Sequence, residues 1–140
     1  MRQIIIDTNC LISFVTDRNL TQQQKVARLL DDTAKSKSTI LCHHHVISEF
    51  VYVLSSVYQL STGKIHDMIT NLIAMPGIKL VTDVNMETIL TYWPNHISDY
   101  GDAILVALCK NCKSRRASIA TFDRKLMSAS ASLGLSIFEF

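Results

Sequence analysis

Five acidic residues of this chain occupy positions at which a strand is predicted to end or a helix to begin. They are Asp7, Glu49, Asp99, Asp102 and Asp123. Asp7 follows the apolar run 4–6, and Asp99 and Asp102 are three residues apart, which puts them on one face of a helix. In a parallel sheet, the carboxyl ends of the strands and the starts of the following helices lie at one edge. We therefore expect the five carboxylates to converge at that edge.

Such a cluster needs a counter-charge, because two carboxylates about 4 Å apart repel by roughly 4 kcal/mol at an effective dielectric near 20. A divalent cation supplies it, and ligands that are all oxygen favour Mg²⁺ or Mn²⁺ over Zn²⁺. A cation of this kind polarises a phosphate oxygen and lowers the pKa of a bound water for in-line attack. The alternative for any one acid, such as Asp99 or Asp123, is a helix cap. Because several such coincidences would be needed at one edge, we predict a metal site.

The elements that would hold these acids alternate between strand-like and helix-like segments. Strands are predicted at 3–7, 38–42, 78–81, 117–121 and 135–138. Helices are predicted at 10–15, 22–37, 61–74, 84–93, 99–112 and 124–131, and one more follows the second strand, with Val46, Phe50, Val53, Leu54 and Val57 on one face. Thr21 and Ser61 are the expected caps of two helices. Because strands joined by helices imply right-handed crossovers, we predict a single three-layer α/β/α domain, residues 1–140, around a mainly parallel sheet.

Composition sets only broad limits on function. The net charge of +2 identifies no partner. No apolar run approaches the ~20 residues that span a bilayer, and no signal peptide precedes the first strand. We therefore expect a cytoplasmic protein that does not enter a membrane, with its four cysteines reduced.

Basic residues are concentrated between positions 110 and 125, where six of them accompany a single acid, Asp123. The six are Lys110, Lys113, Arg115, Arg116, Arg124 and Lys125. A basic rim beside an acidic site would bind a polyanion through its phosphates. The alternative is a solvated helix end and loop, since runs of charge usually lie on the surface.

Four short motifs, taken in order, resemble those of the PIN domain family. They are Asp-Thr-Asn at 7–9, Glu49 early in a helix, Asp-Ala-Ile at 102–104 and Thr-Phe-Asp at 121–123. The order is similar in particular to that of the VapC-type toxin ribonucleases, over nearly the whole chain. The resemblance implies that Asp7, Glu49, Asp102 and Asp123 are the catalytic, metal-coordinating acids. Asp99 matches an extra acid of some members, and Thr8, Asn9 and Thr121 match supporting polar positions.

The activity implied by this resemblance is Mg²⁺- or Mn²⁺-dependent endoribonuclease cleavage of single-stranded or structured RNA, with a metal-activated water as the attacking group. Arg124 and Lys125 would be the nearest residues to bind the RNA backbone, with Arg115 and Arg116 as further candidates. Proteins of this type usually form homodimers. A small antitoxin silences them with a C-terminal segment that fills the acidic groove.

The run His43-His44-His45 departs from that family pattern and suggests other metal chemistry. With Cys42 it offers ligands for Zn²⁺, and His45 and Glu49 are four residues apart. Since consecutive residues of a strand point to opposite faces, they cannot all bind one ion. We therefore favour a strand end with one or two solvated histidines, or a His45 near the acidic groove that contacts substrate.

Cys109 and Cys112 have the C-x-x-C spacing of redox motifs, but they stand at the end of a predicted helix, where its dipole does not activate a thiol. Structural cysteines are the expectation.

An apolar group in the helix after the second strand is expected to be core, although part of it could face a partner. The group is Phe50, Tyr52, Val53, Val57 and Tyr58.

Two other functions compete with the ribonuclease. One is a non-catalytic PIN-like module that binds RNA or a protein. The other is acyl-phosphate chemistry of the receiver or haloacid-dehalogenase type. It is disfavoured because Asn9 stands where a dehalogenase needs a second Asp and no suitable Lys stands out.

Overall fold

Five short strands form the centre of the protein, and the computed structural model describes residues 2–36, 38–113 and 116–140. The strands are β1 (Gln3–Ile6), β2 (Thr39–His43), β3 (Ile78–Val81), β4 (Ala117–Ala120) and β5 (Ser136–Ile137). The helices are α1 (Thr8–Val15), α2 (Leu20–Lys35), α3 (His44–Ser56), α4 (Thr62–Ile73), α5 (Met86–Tyr92), α6 (Tyr100–Lys110) and α7 (Arg124–Ser132). This is the predicted alternation of strands and helices.

The sheet order is β3-β2-β1-β4-β5, and every pairing of neighbours is parallel. Right-handed crossovers in this order put α1 to α4 on one face of the sheet and α5 to α7 on the other. The packing agrees with this, since α1 contacts α2 and α3, α3 contacts α4, and α5 contacts α6. The predicted three-layer α/β/α fold is confirmed.

The core lies on both faces of β1, which explains why its apolar run does not alternate with polar residues. Ile4, Ile5 and Ile6 are all buried, as expected for a central strand of a sheet covered on both sides. Helix α6 crosses the second face and is buried from Ala103 to Ala107. Because α6 is held so firmly, the acids at its amino end have a fixed position relative to β1.

Side-chain caps set the helix starts, and one of the two caps expected from sequence is wrong. Ser61 caps α4 as predicted, through its hydroxyl and the Lys64 amide. Helix α2, however, is capped by Asn19, whose Oδ1 accepts from Gln22 N at 3.0 Å, and not by Thr21. The predicted end of that helix at Lys37 lies outside the described residues.

Val57 is also misplaced in the sequence prediction. It follows the last turn of α3 and is 67% exposed, and Tyr52 on the same helix is 69% exposed. Phe50, by contrast, is fully buried. The expectation that this group is core therefore holds for Phe50 and is wrong for Tyr52 and Val57.

The four cysteines, Cys10, Cys42, Cys109 and Cys112, form no disulfide. Burial raises the pKa of the Cys109 thiol to about 11, which agrees with a structural role at the end of α6. Within the described ranges, no helix is both long enough and apolar enough to cross a membrane.

Candidate active site

The candidate site lies where the chain leaves two neighbouring strands in opposite directions. From β1 it crosses to β2, and from β4 it crosses to β5, although β1 and β4 pair directly. Such a switch point opens a crevice at the carboxyl ends of the strands, where ligands bind in open α/β sheets. The amide of Asp7 continues the pairing with a 3.0 Å bond to Ala120 O. Asp7 and the motif 121–123 therefore face each other across this crevice.

Asp7 is held by three hydrogen-bond donors and is only 8% exposed. Its Oδ1 accepts from the Thr8 amide at 2.7 Å, while its Oδ2 accepts from Thr121 Oγ1 at 2.7 Å and from Asn9 Nδ2 at 3.2 Å. Burial raises the pKa of Asp7, and nearby acids raise it further, while the Thr121 and Thr8 donors oppose the increase. The donors thus fix a carboxylate that burial would otherwise drive toward its neutral form.

Thr121 and Asn9 join the two strand ends into one network. Besides donating to Asp7, Thr121 Oγ1 accepts from Asn9 Nδ2 at 3.2 Å and from the Asp123 amide at 3.0 Å. Asn9 Oδ1 accepts from the Phe122 amide at 3.2 Å. The structure therefore brings the polar residues of both motifs together. Thr8 contributes its amide, while its buried Oγ1 has no hydrogen-bond partner among the described residues.

Asp99 and Asp102 reach the same edge from the start of α6. Asp99 caps the helix, with Oδ1 accepting from the Asp102 amide at 2.8 Å. Burial raises the pKa of Asp102 to about 7, with further contributions, in decreasing order, from Asp7, Asp99, Asp123 and Glu49. Since charges act strongly only over short distances, these contributions agree with the expected convergence of the five acids.

Asp123 reaches the site from β4 by capping α7. Its Oδ1 accepts from the amides of Lys125 at 2.9 Å and Leu126 at 3.5 Å. The cap that the sequence offered as an alternative for Asp99 and Asp123 is therefore present in both. The caps hold these carboxylates beside Asp7 and Asp102, so the two roles are compatible.

Glu49 joins the cluster from the second turn of α3 and is paired with a histidine. Its Oε1 lies 2.6 Å from Nε2 of His45, one turn earlier. Burial raises the pKa of Glu49, His45 lowers it, and Asp7 and Asp99 raise it. His45 thus lies beside the acidic groove, one of the two positions expected from sequence.

Gly101 allows this contact, and sequence reasoning missed it. A Cβ at Gly101 would lie 2.6 Å from His45 Nε2 and 2.8 Å from Glu49 Oε1. Real Cβ atoms are essentially never this close to another atom, so a side chain at position 101 would require the His45 and Glu49 side chains to move. A glycine between two acids at a helix start was the available signal.

Of the three histidines, His44 is exposed, which agrees with the expectation of one or two solvated histidines, while His43 is buried. It ends β2 and caps α3, accepting from the His45 amide on Nδ1 at 3.0 Å. Its hydrogen must then be on Nε2, which donates to Asp83 O at 2.8 Å. Because His44 and His45 are already helical, the three rings diverge. No group of three or more His, Cys, Asp or Glu within the described ranges forms a ready-made metal site, for Zn²⁺ or any other ion.

The basic residues divide between two edges, so the single basic rim expected from sequence is wrong. Arg124 and Lys125 begin α7 at the acidic edge, where Lys125 Nζ donates to Ser98 Oγ at 2.9 Å. Arg116 precedes β4, and at about 3.3 Å per residue the steps from Arg116 to Thr121 span roughly 16 Å. Arg116 is therefore at the opposite edge, as are Lys110 and Lys113. Arg115 lies outside the described residues.

Arg18 is a cation near the site that sequence reasoning missed. Its Nη2 donates to Asn9 O at 3.0 Å, and its Nε donates to Ser13 Oγ at 2.9 Å. Arg18 lies between α1 and α2 in the chain, and nothing in the sequence indicated that it would be close to Asp7.

The donor set suits a hard divalent cation in its chemistry. Burial, with the charges of neighbouring acids, raises the pKa of Asp7, Glu49 and Asp102, and no Lys or Arg in the described ranges forms an ion pair with any of the five acids. The unpartnered, buried Thr8 Oγ1 adds an oxygen at the same edge. Asp7 accepts from its donors, Asp99 and Asp123 cap helices and Glu49 pairs with His45, and no three acids in the described ranges form a coordination shell. A cation would be held by oxygen atoms already at this edge after side-chain rotation.

Comparisons with known proteins agree on the fold. The model of a family described as PIN domain matches residues 4–131. A chain in the crystal structure of VapBC2 from Rickettsia felis, bound to a DNA fragment from their promoter, has a similar structure, with a TM-score of 0.65. The similarity covers 97% of this chain and 97% of that chain at 11% sequence identity, a level that shows the fold alone. No curated protein matches this chain by sequence.

Proposed function

Since this chain belongs to the PIN domain family, whose members are typically nucleases, we propose that it is a metal-dependent endoribonuclease of the VapC type, which hydrolyses RNA phosphodiester bonds. The observation that carries the proposal is that five acids from the end of β1, from α3, from the start of α6 and from the end of β4 lie at one edge of the sheet, where burial and the other acids raise the pKa of Asp102 to about 7. A protein with no use for such a cluster would lose stability by keeping it. Perturbed acids in a crevice are typical of functional sites.

Mg²⁺ or Mn²⁺ would be held by Asp7, Asp102, Asp123 and Glu49, with Asp99 as a further ligand. Bound there, the cation would polarise a phosphodiester oxygen and promote deprotonation of the attacking water. The residues around the acids position them for this chemistry. Thr121 and Asn9 orient Asp7, His45 restrains Glu49, and Asp99 and Asp123 begin the helices that close the crevice.

RNA would be bound by cations at the rim of the crevice. Lys125 and Arg124 lie beside Asp123 at the start of α7, and Arg18 lies on the side of Asn9. These residues would contact phosphates on either side of the acids. Arg116 is too far along β4 to join them at the same phosphate and would contact only an RNA that extends across the molecule.

The partners proposed are a small antitoxin and a second copy of the chain, in the cytoplasm. The similar chain occurs in a VapBC2 complex, which supports an antitoxin here. Tyr52 in α3 and Val57, the residue after that helix, are large apolar side chains exposed to solvent, which supports a protein contact.

Acyl-phosphate chemistry has less support than the ribonuclease. Asn9 stands where a dehalogenase needs a second Asp, and its side chain is engaged in the network of the two strand ends, donating to Asp7 and accepting from the Phe122 amide.

A non-catalytic binding module is the second candidate, because no three side chains in the described part of the chain form a ready coordination shell. One experiment separates the two. Purified protein is incubated with single-stranded RNA and Mg²⁺ or Mn²⁺, with and without chelator, alongside Asp7→Asn and the control Asp67→Asn. Asp67 is an exposed acid on α4, paired only with His66.

The ribonuclease hypothesis predicts that the parent and Asp67→Asn cut RNA, that chelator stops them, and that Asp7→Asn is inactive. If RNA binds without being cut, and neither chelator nor Asp7→Asn changes binding, the non-catalytic module is correct.

A further inference from the structure

A cavity of about 310 Å³ opens next to the acids and has no role in the proposal so far. One wall is the turn 94–98, which connects α5 to α6. The opposite wall is the start of α7, with Lys125 and Leu126, and Asp102 closes the end toward the other acids. The cavity is therefore continuous with the crevice and lies on the Lys125 side of it.

The turn that forms this cavity is held firmly by its own backbone. The amides of His96 and Ile97 both donate to Tyr92 O, at 2.8 and 3.0 Å. Trp93 Nε1 donates to Ser98 O at 3.2 Å, and Ile97 is buried in the core. Because both ends of the turn are fixed, the backbone that carries its side chains need not be ordered on binding, which lowers the entropic cost.

The side chains of this turn have unused hydrogen-bonding groups. The Asn95 amide and the His96 ring nitrogens have no hydrogen-bond partner among the described residues, and both side chains are exposed. His96 touches Tyr92 edge to face with its ring. Across the cavity, the partly exposed Ala129 lies beside Lys125 and the buried Leu126. A ligand with polar edges would meet the unpartnered groups of Asn95 and His96.

We propose that this cavity binds one unpaired nucleobase of the RNA, with Asn95 and His96 contacting its edge. The inference rests on the proposed function, since it assumes that an RNA phosphate lies at the acids. A cavity at the lower end of the size range of ligand sites suits one base. Lys125, tied to Ser98 at 2.9 Å, stands where the cavity meets the crevice and would contact the phosphate between them.

Binding of a base in this cavity restricts which RNA can be a substrate. A base can enter the cavity only when it is unstacked and unpaired, because proteins read RNA bases by splaying them out of a helix. The RNA must therefore be single-stranded, or looped, at the base next to the cut. Asn95 and His96 become specificity-determining residues of the same site.

The test measures base preference in binding and in cutting. Binding uses short single-stranded RNAs that differ at one base, titrated against Asp7→Asn protein by fluorescence anisotropy, alone and combined with Asn95→Ala or His96→Ala. The matched controls are Asn71→Ala and His66→Ala, which change exposed residues of α4 on the other face of the sheet. Cutting by the parent background is then mapped by sequencing the ends produced from a random-sequence RNA pool.

We expect a preference for one base at one position, reduced about tenfold by Asn95→Ala or His96→Ala, as for the loss of one or two hydrogen bonds, and unchanged in both controls. The proposal is overturned if no base preference exists, if the two variants keep it, or if no single-stranded RNA binds. If the proposed function is wrong but the base-binding proposal is right, the result differs: RNA binds with a base preference, but the parent protein never cuts it.

Discussion

The hydroxyl of Thr121 donates a 2.7 Å hydrogen bond to Oδ2 of Asp7, a residue 114 positions earlier in the chain. This bond connects the ends of β1 and β4 at the point where the sheet changes winding direction. It also gives the most buried acid of the cluster a donor that favours its charged form. Thr121 is thus part of the core and part of the site.

Thr121→Val should destabilise the protein by about 1–3 kcal/mol, because it leaves a buried carboxylate and the Asn9 and Asp123 donors without their partner. The shape of the side chain is conserved, so the loss measures polar contacts. Urea unfolding gives the free energy, and the pKa of Asp7, followed by carboxyl NMR, should rise. Thr121→Ser keeps the donor and should retain most of the stability. A Thr121→Val variant as stable as the parent would show that this hydrogen bond does not contribute to stability.

Gly101→Ala should separate activity from stability. The new methyl group would overlap His45 Nε2 and Glu49 Oε1 and displace that pair. Because an error of about 1 Å in an active site costs up to a hundredfold in rate, we expect RNA cleavage to fall by about tenfold to a hundredfold. Stability should change little, since alanine is favoured over glycine in a helix by up to about 1 kcal/mol.

The control for that variant is Gly63→Ala in the first turn of α4, where an added Cβ meets nothing within 4 Å. It should be as stable as the parent or slightly more so, with unchanged cleavage. If Gly101→Ala and Gly63→Ala behave alike in both assays, the close approach of α6 to the His45–Glu49 pair has no role in activity.

The acidic cluster should make the cation-free protein less stable as pH rises. Asp102 has a pKa of about 7 in the folded protein and an ordinary value of 3.8, so between these values the folded state holds the extra proton. The free energy of unfolding therefore falls as pH increases through this window. Burial raises the pKa values of Asp7 and Glu49 in the same direction, which adds to the effect.

Asp102→Asn removes the largest of these shifts. In chelator, the variant should be more stable than the parent at pH 7.5 and nearly equal to it at pH 4. Thermal unfolding at both pH values measures this. Parallel curves for parent and variant over the whole range would contradict the proposed repulsion among the acids.

The convergence of the acids could be predicted from the sequence because their positions depend on one general property of parallel sheets. Asp7 and Asp123 follow strands, and Glu49 and Asp102 lie early in helices, so knowledge of the sheet edge alone brings them together. The same property, applied to Arg116, would have placed it at the other edge, since it precedes β4. Treating residues 110–125 as one basic rim confused closeness in sequence with closeness in space.

The helix caps and the Gly101 contact depend on tertiary contacts, which the spacing of apolar residues in the sequence does not reveal. Asn19 and Thr21 are both good caps two residues apart, and only the path of the chain after α1 selects Asn19. The capping role of His43 depends on Asp83, a residue 40 positions away. The contact at Gly101 depends on how closely α6 and α3 approach, which is set by packing across the whole core.

We propose that these acids form one cation site at which RNA is cut. The most direct test is the initial rate of single-stranded RNA cleavage as a function of Mn²⁺ concentration, for the parent, Asp123→Asn and Asp67→Asn. We expect a cleavage rate near zero in chelator. For the parent and Asp67→Asn, the rate should rise to saturation as the Mn²⁺ concentration increases. For Asp123→Asn, the loss of one ligand should raise the half-saturating concentration by about tenfold or more, or abolish cleavage. Cleavage that persists in chelator, or an Asp123→Asn curve that superimposes on that of the parent, would contradict this proposal.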